Sequence, residues 1–293
     1  MTKQDLYDPL GCGDAGCGKL FVVGTPIGNL EDITLRALRV LKEVDLIACE
    51  DTRRTQKLLN HYTIHTPCES YHEHNEMTRA PELVVQMEEG MKIALVADAG
   101  MPVISDPGYR LIHLAIRHKI PVIPVPGASA FVAALAAAGL PVEQFRFLGF
   151  LPSKKGLRRK ALQDFKSATK TLVFYEAPHR LVDMLADVLG VLGDRAVVVA
   201  REVTKIHEEF LRGNISDVLE RLRKRSVKGE ITVLVGAPSM RVETAPAGKT
   251  IREELNQIMA EQGLDERAAL KAVARARGIA RSEAYRQLQL EKK

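Results

Sequence analysis

Short apolar runs alternate with longer stretches of helical spacing through the first half of the chain. The apolar runs, each of the length of a buried strand, lie at residues 20–23, 44–48, 92–97, 121–125 and 147–150. Helix-like spacing of apolar positions occurs at 34–41, 53–60, 77–89, 109–118 and 128–138. Near-continuous apolar strands separated by helices are typical of a parallel sheet covered on both faces. We therefore predict an α/β domain over residues 19–150.

The pattern breaks at residues 151–156 and then resumes. Strands are predicted at 171–175, 196–200 and 231–235, and helices at 157–167, 178–189 and 215–225. This second α/β domain would span 151–240. A linker of Pro, Ala and Gly at 245–248 leads to residues 249–293, which are predicted to be entirely helical. The glycine-rich residues 1–18 show no pattern, and we expect them to form a disordered tail.

Composition narrows the class of protein. The chain has 293 residues, 46% of them hydrophobic, which is enough for two domains of ordinary size. A formal charge of +5 permits a polyanionic partner without requiring one. Four cysteines form no disulfide framework for this length and favour a reducing compartment. No apolar run approaches the ~18 residues of a membrane helix, and the first twenty residues lack the apolar core of a signal peptide, so we expect a cytoplasmic protein.

The loop at residues 24–30 follows the first predicted strand directly. Ligands of open parallel sheets bind at the carboxyl ends of the strands, so this loop indicates a binding site. It reads G-x-x-x-G rather than the G-x-G-x-x-G of dinucleotide-binding folds. Pro26 lacks an N–H, which makes the loop a poor phosphate cradle. The pattern favours a nucleoside-like ligand without a phosphate chain.

Two further loops of small residues follow predicted strands, at 97–108 and 126–130. The first contains Asp98 and Asp106, whose carboxylates could accept hydrogen bonds from ribose hydroxyls or an α-amino group and would favour a nearby sulfonium cation. Small residues also let the backbone approach a ligand closely. The segment 106–108 would make a good turn by itself. Three such loops at three strand ends nevertheless indicate one shared site.

Two other motifs are weak. Residues 13–20 fit G-x-x-x-x-G-K, but Leu20 stands where a P-loop has Ser or Thr, and the segment precedes a strand instead of following one. The potential zinc ligands are spread over an interrupted segment without a paired C-x-x-C, so we expect no metal site. These residues are His61, His65, Cys68, His72 and His74.

Charged segments lie near the predicted cleft. Residues 50–54 (EDTRR) are equally consistent with an ordinary helix start and with a site that orients a polar substrate. Residues 154–160 hold five cations and no acid at the junction of the two α/β domains, which favours phosphate contacts. The segment 265–289 has the proportions of a helix-turn-helix and is rich in Arg and Lys, although a purely structural or dimerising role remains open.

Successive motifs of the chain resemble those of one family, the ribosomal RNA small subunit methyltransferase I proteins, a branch of the tetrapyrrole methylase (class III methyltransferase) superfamily. The resemblance covers residues 19–238 in order, and 249–293 resembles the family's C-terminal helix-turn-helix piece. The motifs are FVVGTPIGNL (21–30), EDTR (50–53), SYHEHNE (70–76), DAG (98–100), SDPG (105–108), PGASA (126–130), FLGFLP (147–152), YEAPHR (175–180) and REVTK (201–205).

The resemblance implies two α/β domains with S-adenosylmethionine (SAM) in the cleft between them, and a small helical module. It implies methyl transfer to the ribose 2′-oxygen of a cytidine in the decoding region of 16S rRNA. It also implies a homodimer that acts on 16S rRNA or the 30S subunit, with no membrane involved. In-line methyl transfer from a sulfonium depends mainly on positioning and needs no metal.

Candidate site residues follow from the loops, the chemistry and the resemblance. A general base would help to deprotonate the 2′-hydroxyl, and the candidates are Asp51 and Glu176, each at a strand end. The candidate cofactor-binding residues are Gly24, Thr25, Pro26, Asp98, Ala99, Gly100, Val103, Ser105, Asp106, Ser129, Ala130 and Tyr175. The candidate RNA contacts are Arg53, Lys154, Lys155, Arg158, Arg159, Lys160, His179, Arg180, Lys205, Arg275, Arg277 and Arg281.

Two alternative functions share parts of this pattern. A tetrapyrrole or corrin C-methyltransferase would have the same fold and cofactor, but it has no use for the basic segment 154–160 or a basic helical module. A non-catalytic RNA-binding protein would keep the basic segments, but it would not need three intact loops at strand ends. We therefore favour the rRNA methyltransferase.

Overall fold

The computed structural model describes residues 18–238, 251–276 and 281–290. The chain divides into two compact units, residues 1–241 and 242–293. The predicted disordered tail, apart from Gly18, and the predicted linker at 245–248 lie outside the described residues. Among the described residues no helix is both long and apolar enough to span a membrane.

The first sheet is entirely parallel, as the apolar runs predict. Its strands are β1 (Lys19–Val23), β2 (Leu46–Cys49), β3 (Cys68–Ser70), β4 (Lys92–Val96) and β5 (Val122–Val125), in the order β3-β2-β4-β1-β5. The helices that follow these strands are α1 (Leu35–Glu43), α2 (Thr52–His61), α3 (Glu76–Glu88), α4 (Tyr109–Arg117) and α5 (Ala130–Ala138). Strand β3 was not predicted, because three residues with a central glutamate make no apolar run.

The second sheet is mixed. Its strands are β6 (Phe145–Phe150), β7 (Thr171–Glu176), β8 (Ala196–Arg201), β9 (Glu209–Asn214) and β10 (Ile231–Val235), in the order β6-β7-β10-β8-β9. Only β6 and β7 pair in parallel, while β10 is antiparallel to both of its neighbours. Its helices are α6 (Lys155–Gln163), α7 (Leu181–Leu192) and α8 (Ile215–Arg223).

The predictions for this half of the fold are wrong in three places. The run at 147–150 was assigned to the first α/β domain, whereas β6 pairs with β7 in the second sheet. Strand β9 was not predicted, because Glu209, Arg212 and Asn214 interrupt its apolar pattern. The helix expected from 178 begins at Leu181, since residues Pro178–Arg180 form a 3-10 turn.

Helix α5 joins the two sheets into one unit. It follows β5 of the first sheet, yet Ala134 and Leu135 pack with Val173 and Leu234 of the second sheet. The opposite face of that sheet carries α6, α7 and α8 on a separate core around Phe174. The first sheet has a core on each face, as its doubly apolar strands require. Residues of both sheets and their loops line one cavity between them.

The C-terminal unit has its own small core. It contains α9 (Ile251–Gln262), α10 (Glu266–Ala276) and α11 (Arg281–Leu290). Leu255 of α9, Val273 of α10 and Leu288 of α11 are buried together. This arrangement agrees with the expected helical module.

Candidate functional site

The loops that follow β1, β4 and β5 are in direct contact. Thr25 N–H donates to Gly100 O at 2.9 Å, and Gly100 N–H donates to Thr25 O at 3.1 Å. Gly24 packs on Gly127 so closely that a Cβ on Gly24 would lie 2.7 Å from Gly127 Cα. The reason is geometric, because neighbouring parallel strands end at the same edge of a sheet. Glycine at both positions lets the first and third loops touch.

A cavity of about 390 Å³ lies between these loops and the second sheet, within the size range of small-molecule sites. The first sheet and its loops supply Ile27, Ala99, Gly100, Met101, Ile104, Ser105, Asp106, Ser129 and Ala130. The second sheet and its loops supply Phe150, Tyr175, Glu176, Ala177, Pro178, Val203, Gly229, Glu230, Ile231 and Thr232. We call this space the main cavity.

Two carboxyl groups of the main cavity have raised pKa values. Burial, reinforced by the charges of Glu50 and Asp98, raises the pKa of Asp106 to about 6. Burial is also the main cause that raises the pKa of Glu176. Among the described residues Asp106 has no cationic partner. The site therefore favours a cationic ligand, which would stabilise the ionised carboxylates.

Glu176 is held in one orientation. Its Oε1 accepts a hydrogen bond from Ala177 N–H at 2.8 Å and lies 3.2 Å from Arg180 Nε. Its Oε2 is buried and has no hydrogen-bond partner among the described residues. A buried acceptor without a partner in native proteins calls for an explanation, and a donor on a ligand would supply one.

Aromatic rings form one wall of the main cavity. The Tyr175 ring lies 5.7 Å from the Phe150 ring and 5.0 Å from the Phe147 ring, centroid to centroid. Phe131 stacks on Phe147 at 4.5 Å and extends the cluster behind the wall. Such rings bind flat heterocycles and cations through their faces.

A second cavity of about 300 Å³ adjoins the first. It is lined by Thr25, Pro26, Ile27, Gly28, Leu30, Arg54, Thr55, Lys57, Leu58, Ala97, Asp98, Ala99, Lys205 and Glu230. Ile27, Ala99 and Glu230 line both cavities. We call this space the basic cavity, because three of its lining residues are cations.

Lys205 reaches from the second sheet to the first loop. Its Nζ lies 2.9 Å from Glu202 Oε1 and 3.1 Å from Glu230 Oε2. Its alkyl chain covers Gly28, where a Cβ would lie 2.4 Å from Lys205 Cε. The nearby Thr204 hydroxyl also hydrogen-bonds the carboxylate of Asp32. These contacts fasten the two halves of the unit at the edge of the basic cavity.

The structure places most predicted cofactor residues at these two cavities. The main cavity takes Ala99, Gly100, Ser105, Asp106, Ser129, Ala130 and Tyr175, and the basic cavity takes Thr25, Pro26, Asp98 and, again, Ala99. Gly24 instead supports the loop contact with Gly127. Val103 packs against Gly108 with a positive φ of 75° and lines neither cavity.

The two predicted bases differ sharply in their surroundings. Glu176 lines the main cavity, whereas Asp51 caps the first turn of α2 and lines neither cavity. Hydrogen bonds from the Arg53 side chain and backbone lower the pKa of Asp51 to about 2. A carboxylate this acidic and already paired is a weak proton acceptor.

The cations of the basic segment 154–160 do not share one environment. The prediction that Arg158 contacts RNA is wrong. The guanidinium of Arg158 is buried, with Nε donating to Asp187 Oδ2 at 2.8 Å and Nη1 to Ser153 O at 3.2 Å. It therefore cannot contact RNA in this structure. Lys154, Lys155 and Lys160 are exposed, and Arg159 lies on the outer side of the same buried aspartate.

The remaining predicted RNA contacts have varied settings. Arg53 is exposed but paired with Asp51, and Arg180 donates to Leu151 O at 2.7 Å beside Glu176. His179, Arg275 and Arg281 are exposed. Arg277 and residues 13–17 of the glycine-rich motif lie outside the described residues. No cluster of three or more His, Cys, Asp or Glu that could hold a metal occurs in the described ranges.

Several lining residues were not predicted. Phe150, Ala177, Pro178 and Val203 lie inside motifs that carry the family resemblance, which could have marked them. Residues 229–232 carried no such signal, since they precede and begin β10, and Lys57 resembled an ordinary cation of a helix. Arg54 belongs to the segment 50–54, for which a helix start and a substrate-orienting site were equally consistent with the sequence.

Comparisons with known proteins show the family of the chain. The family described as Tetrapyrrole (Corrin/Porphyrin) Methylases matches residues 19–219. A protein of Halalkalibacterium halodurans named Ribosomal RNA small subunit methyltransferase I is 49% identical over 273 residues, 92% of this chain and 93% of the relative. A Thermotoga maritima protein of the same name is 51% identical over 218 residues, 74% of this chain and 98% of the relative.

Solved structures show the same fold at low identity. A cobalt precorrin-4 methyltransferase of cobalamin biosynthesis, CbiF, aligns with a TM-score of 0.56 at 19% identity, over 74% of this chain and 94% of its own. The methyltransferase CobJ aligns with a TM-score of 0.58 at 20% identity, over 76% of this chain and 95% of its own.

Proposed function

We propose that the chain methylates the RNA of the small ribosomal subunit. It belongs to the tetrapyrrole methylase family and to its ribosomal RNA small subunit methyltransferase I branch. It is a SAM-dependent methyltransferase. The proposed acceptor is the ribose 2′-oxygen of a cytidine in the decoding region of 16S rRNA.

The observation that carries the proposal is the main cavity with its aromatic wall, the buried carboxyl of Glu176 and the partly buried carboxyl of Asp106. SAM, when bound, supplies a methyl group activated by a sulfonium. Asp106 would attract the cationic end of this cofactor, and the Tyr175 and Phe150 rings offer a surface for its adenine. The backbones of Gly100, Ser129 and their neighbours let the ligand approach closely. The residues present thus fit SAM.

Glu176 is the residue we assign as general base. Ala177 N–H and Arg180 hold Oε1, which leaves Oε2 to take the proton of the acceptor hydroxyl as its oxygen attacks the methyl carbon. A pKa raised by burial makes this carboxylate a better proton acceptor than an exposed glutamate. Most of the acceleration would come from holding the two reactants in line.

RNA contacts are proposed for exposed cations around the cleft and on the helical unit. Lys154, Lys155 and Lys160 form an accessible basic group, and Arg275 and Arg281 are exposed on α10 and α11. Such cations bind phosphates and position an RNA without reading its sequence.

Two finer proposals concern assembly and location. Tyr109 and Ile116 on α4 leave 71% and 61% of their surface exposed, which supports a homodimer that covers them. The substrate would be 16S rRNA or the 30S subunit, in the cytoplasm. Light scattering of the purified protein tests the dimer, because a monomeric mass at micromolar concentration contradicts it.

One experiment tests the function. The protein is incubated with methyl-labelled SAM and either naked 16S rRNA or 30S subunits, and the RNA nucleosides are then analysed by mass spectrometry. We expect label in 2′-O-methylcytidine at one position. Label in a base contradicts the proposal. RNA that carries no label, when a tetrapyrrole offered as an alternative acceptor becomes labelled, also contradicts it.

A further inference from the structure

The basic cavity contains two cations, Arg54 and Lys57, to which the cofactor site proposed above gives no role. Arg54 and Lys57 lie three residues apart on α2, so their side chains share one face of the helix. Both line the basic cavity, and neither lines the main cavity. A group that binds both would carry negative charge.

The three cations of this cavity are not equivalent. Lys205 already contacts two carboxylates, and Arg54 contacts one, with Nη1 3.1 Å from Asp98 Oδ2 while 67% of its side chain stays exposed. Lys57 has no ion pair among the described residues. Helix α2 contains Arg53, Arg54 and Lys57 but no acid, so Lys57 has no carboxylate partner within its own helix. Arg54 and Lys57 therefore remain available to an anion.

The location of this cavity restricts what the anion belongs to. Because the two cavities share Ile27, Ala99 and Glu230, a ligand in the basic cavity lies directly beside the cofactor. Pro26, Leu30 and Leu58 add apolar surface between the charged groups. A nucleotide segment combines an apolar base with an anionic phosphate and matches both kinds of lining.

We propose that the basic cavity seats the acceptor segment of a single-stranded RNA, with Arg54 and Lys57 holding a phosphate next to the acceptor ribose. This inference rests on the proposed function and adds the residues that position the acceptor. Arg54 and Lys57 are positioning residues, because phosphate contacts fix the register of a strand without taking part in bond formation.

The test uses the full-length protein with 16S rRNA and SAM. Arg54→Gln, Lys57→Gln and the double variant are compared with a control that carries Lys42→Gln and Lys170→Gln. The control removes the same charge from two exposed lysines, one near the start of β2 and the other just before β7, at the ends of the sheets opposite the cavities. Thermal melting confirms that each variant is folded.

We expect the double variant to raise the KM for RNA about tenfold at 0.15 M salt and each single variant to raise it less. The slope of log KM against log salt should fall by roughly 0.7 in the double variant, because one phosphate of a single-stranded RNA is no longer neutralised. The kcat at saturating RNA and the Kd for SAM should stay close to those of the wild type. The control should match the wild type in all four quantities.

The outcomes separate this inference from the proposed function. If the wild-type protein methylates no RNA, the proposed function fails. If it does methylate RNA and the double variant matches the control in KM and salt slope, the inference alone is overturned. Lys57→Gln breaks no ion pair in the described chain, so its result decides the matter even if replacing Arg54 disturbs Asp98. A loss of kcat or SAM affinity without a change in KM for RNA would also overturn it.

Discussion

The two sheets line the same main cavity in different ways. The parallel first sheet contributes loops, and these offer mostly backbone and small side chains such as those of Ala99, Gly100 and Ser129. The mixed second sheet contributes large and polar side chains near the strands' ends, Tyr175 and Glu176 from β7 and Thr232 from β10. One half thus shapes the cavity, and the other half supplies most of its reactive and aromatic groups.

The reason for the difference is strand direction. All five strands of the first sheet run the same way, so their carboxyl ends and following loops meet at one edge. In the second sheet β10 runs against β7, with Ile231 opposite Glu176 and Thr232 opposite Tyr175. The start of one strand therefore lies beside the end of another. A reader of the sequence can find the first arrangement from strand ends alone, but not the second.

The largest expected effect comes from Glu176 of the second sheet. Glu176→Gln keeps the shape of the side chain and removes its ability to take a proton, so kcat should fall about 10²- to 10⁴-fold. The Kd for SAM should change little, and single-turnover methylation with calorimetry separates the two quantities. Asp51→Asn preserves a good helix cap and should cost far less activity. Equal losses in the two variants would contradict the division of labour between the sheets.

Gly24, in the loop after β1, should affect SAM binding through the shape of the cavity. Gly24→Val places a side chain where Gly127 stands, so the first and third loops must separate, and we expect the Kd for SAM to rise at least about tenfold. The matched control is Gly156→Ala in α6, whose Cβ would meet no atom within 4 Å. It should bind SAM normally. If Gly24→Val also binds normally, loop contact does not shape the site.

Asp106 is an acidic residue that the first sheet's loops contribute to the main cavity, and it makes cofactor binding depend on pH. Asp106→Asn should weaken SAM binding about tenfold at pH 8, where the wild-type carboxyl is ionised. Because the pKa of Asp106 is about 6, wild-type affinity should decline as pH falls through this value and approach that of the variant near pH 5. Isothermal titration across pH 5–8 measures both curves. A tenfold difference that persists at pH 5 would exclude Asp106 as the titrating group.

The same carboxyl affects stability with a defined sign. Burial raises the folded-state pKa of Asp106, so its stabilising protonated form is lost as pH rises through about 6. Unliganded Asp106→Asn should therefore gain stability relative to the wild type above pH 6. Denaturant melts at pH 5 and pH 8 check this, and equal differences at both pH values would contradict it.

The smallest expected effect concerns Thr232, at the start of the antiparallel strand. Thr232→Val keeps the volume and removes one hydroxyl from the cavity wall, and we expect the Kd for SAM to rise about threefold. Val233→Ile, on the neighbouring position that faces the buried core, serves as a control for the strand itself. If Thr232→Val binds SAM with an unchanged Kd, the hydroxyl makes no contact with the cofactor, and β10 contributes only to the shape of the cavity.

Much of the fold was predictable because its information is local. The apolar runs predicted eight strands and the helices between them, with errors of a few residues at their ends. Strand β9 escaped prediction because its pairing with β8, and not its own apolar pattern, makes it a strand. Strand β6 was found but assigned to the wrong sheet, since its partner β7 begins more than twenty residues later along the chain.

The features of the site likewise divide into those encoded locally in the sequence and those that depend on tertiary contacts. The sequence by itself determined the three glycine-containing loops, the family and the presence of Glu176, because each is recorded in a short stretch of residues next to a strand. Tertiary structure alone decided that residues 229–232 join the cavity and that Asp51 is occupied as a helix cap. It also decided that Arg158 pairs with Asp187 inside the protein while its basic neighbours stay in solvent. The five cations of the segment 154–160 look alike along the chain. Only the burial of Asp187 on α7 distinguishes Arg158 from the others. The cost of an unpaired buried charge arises only when the chain is folded.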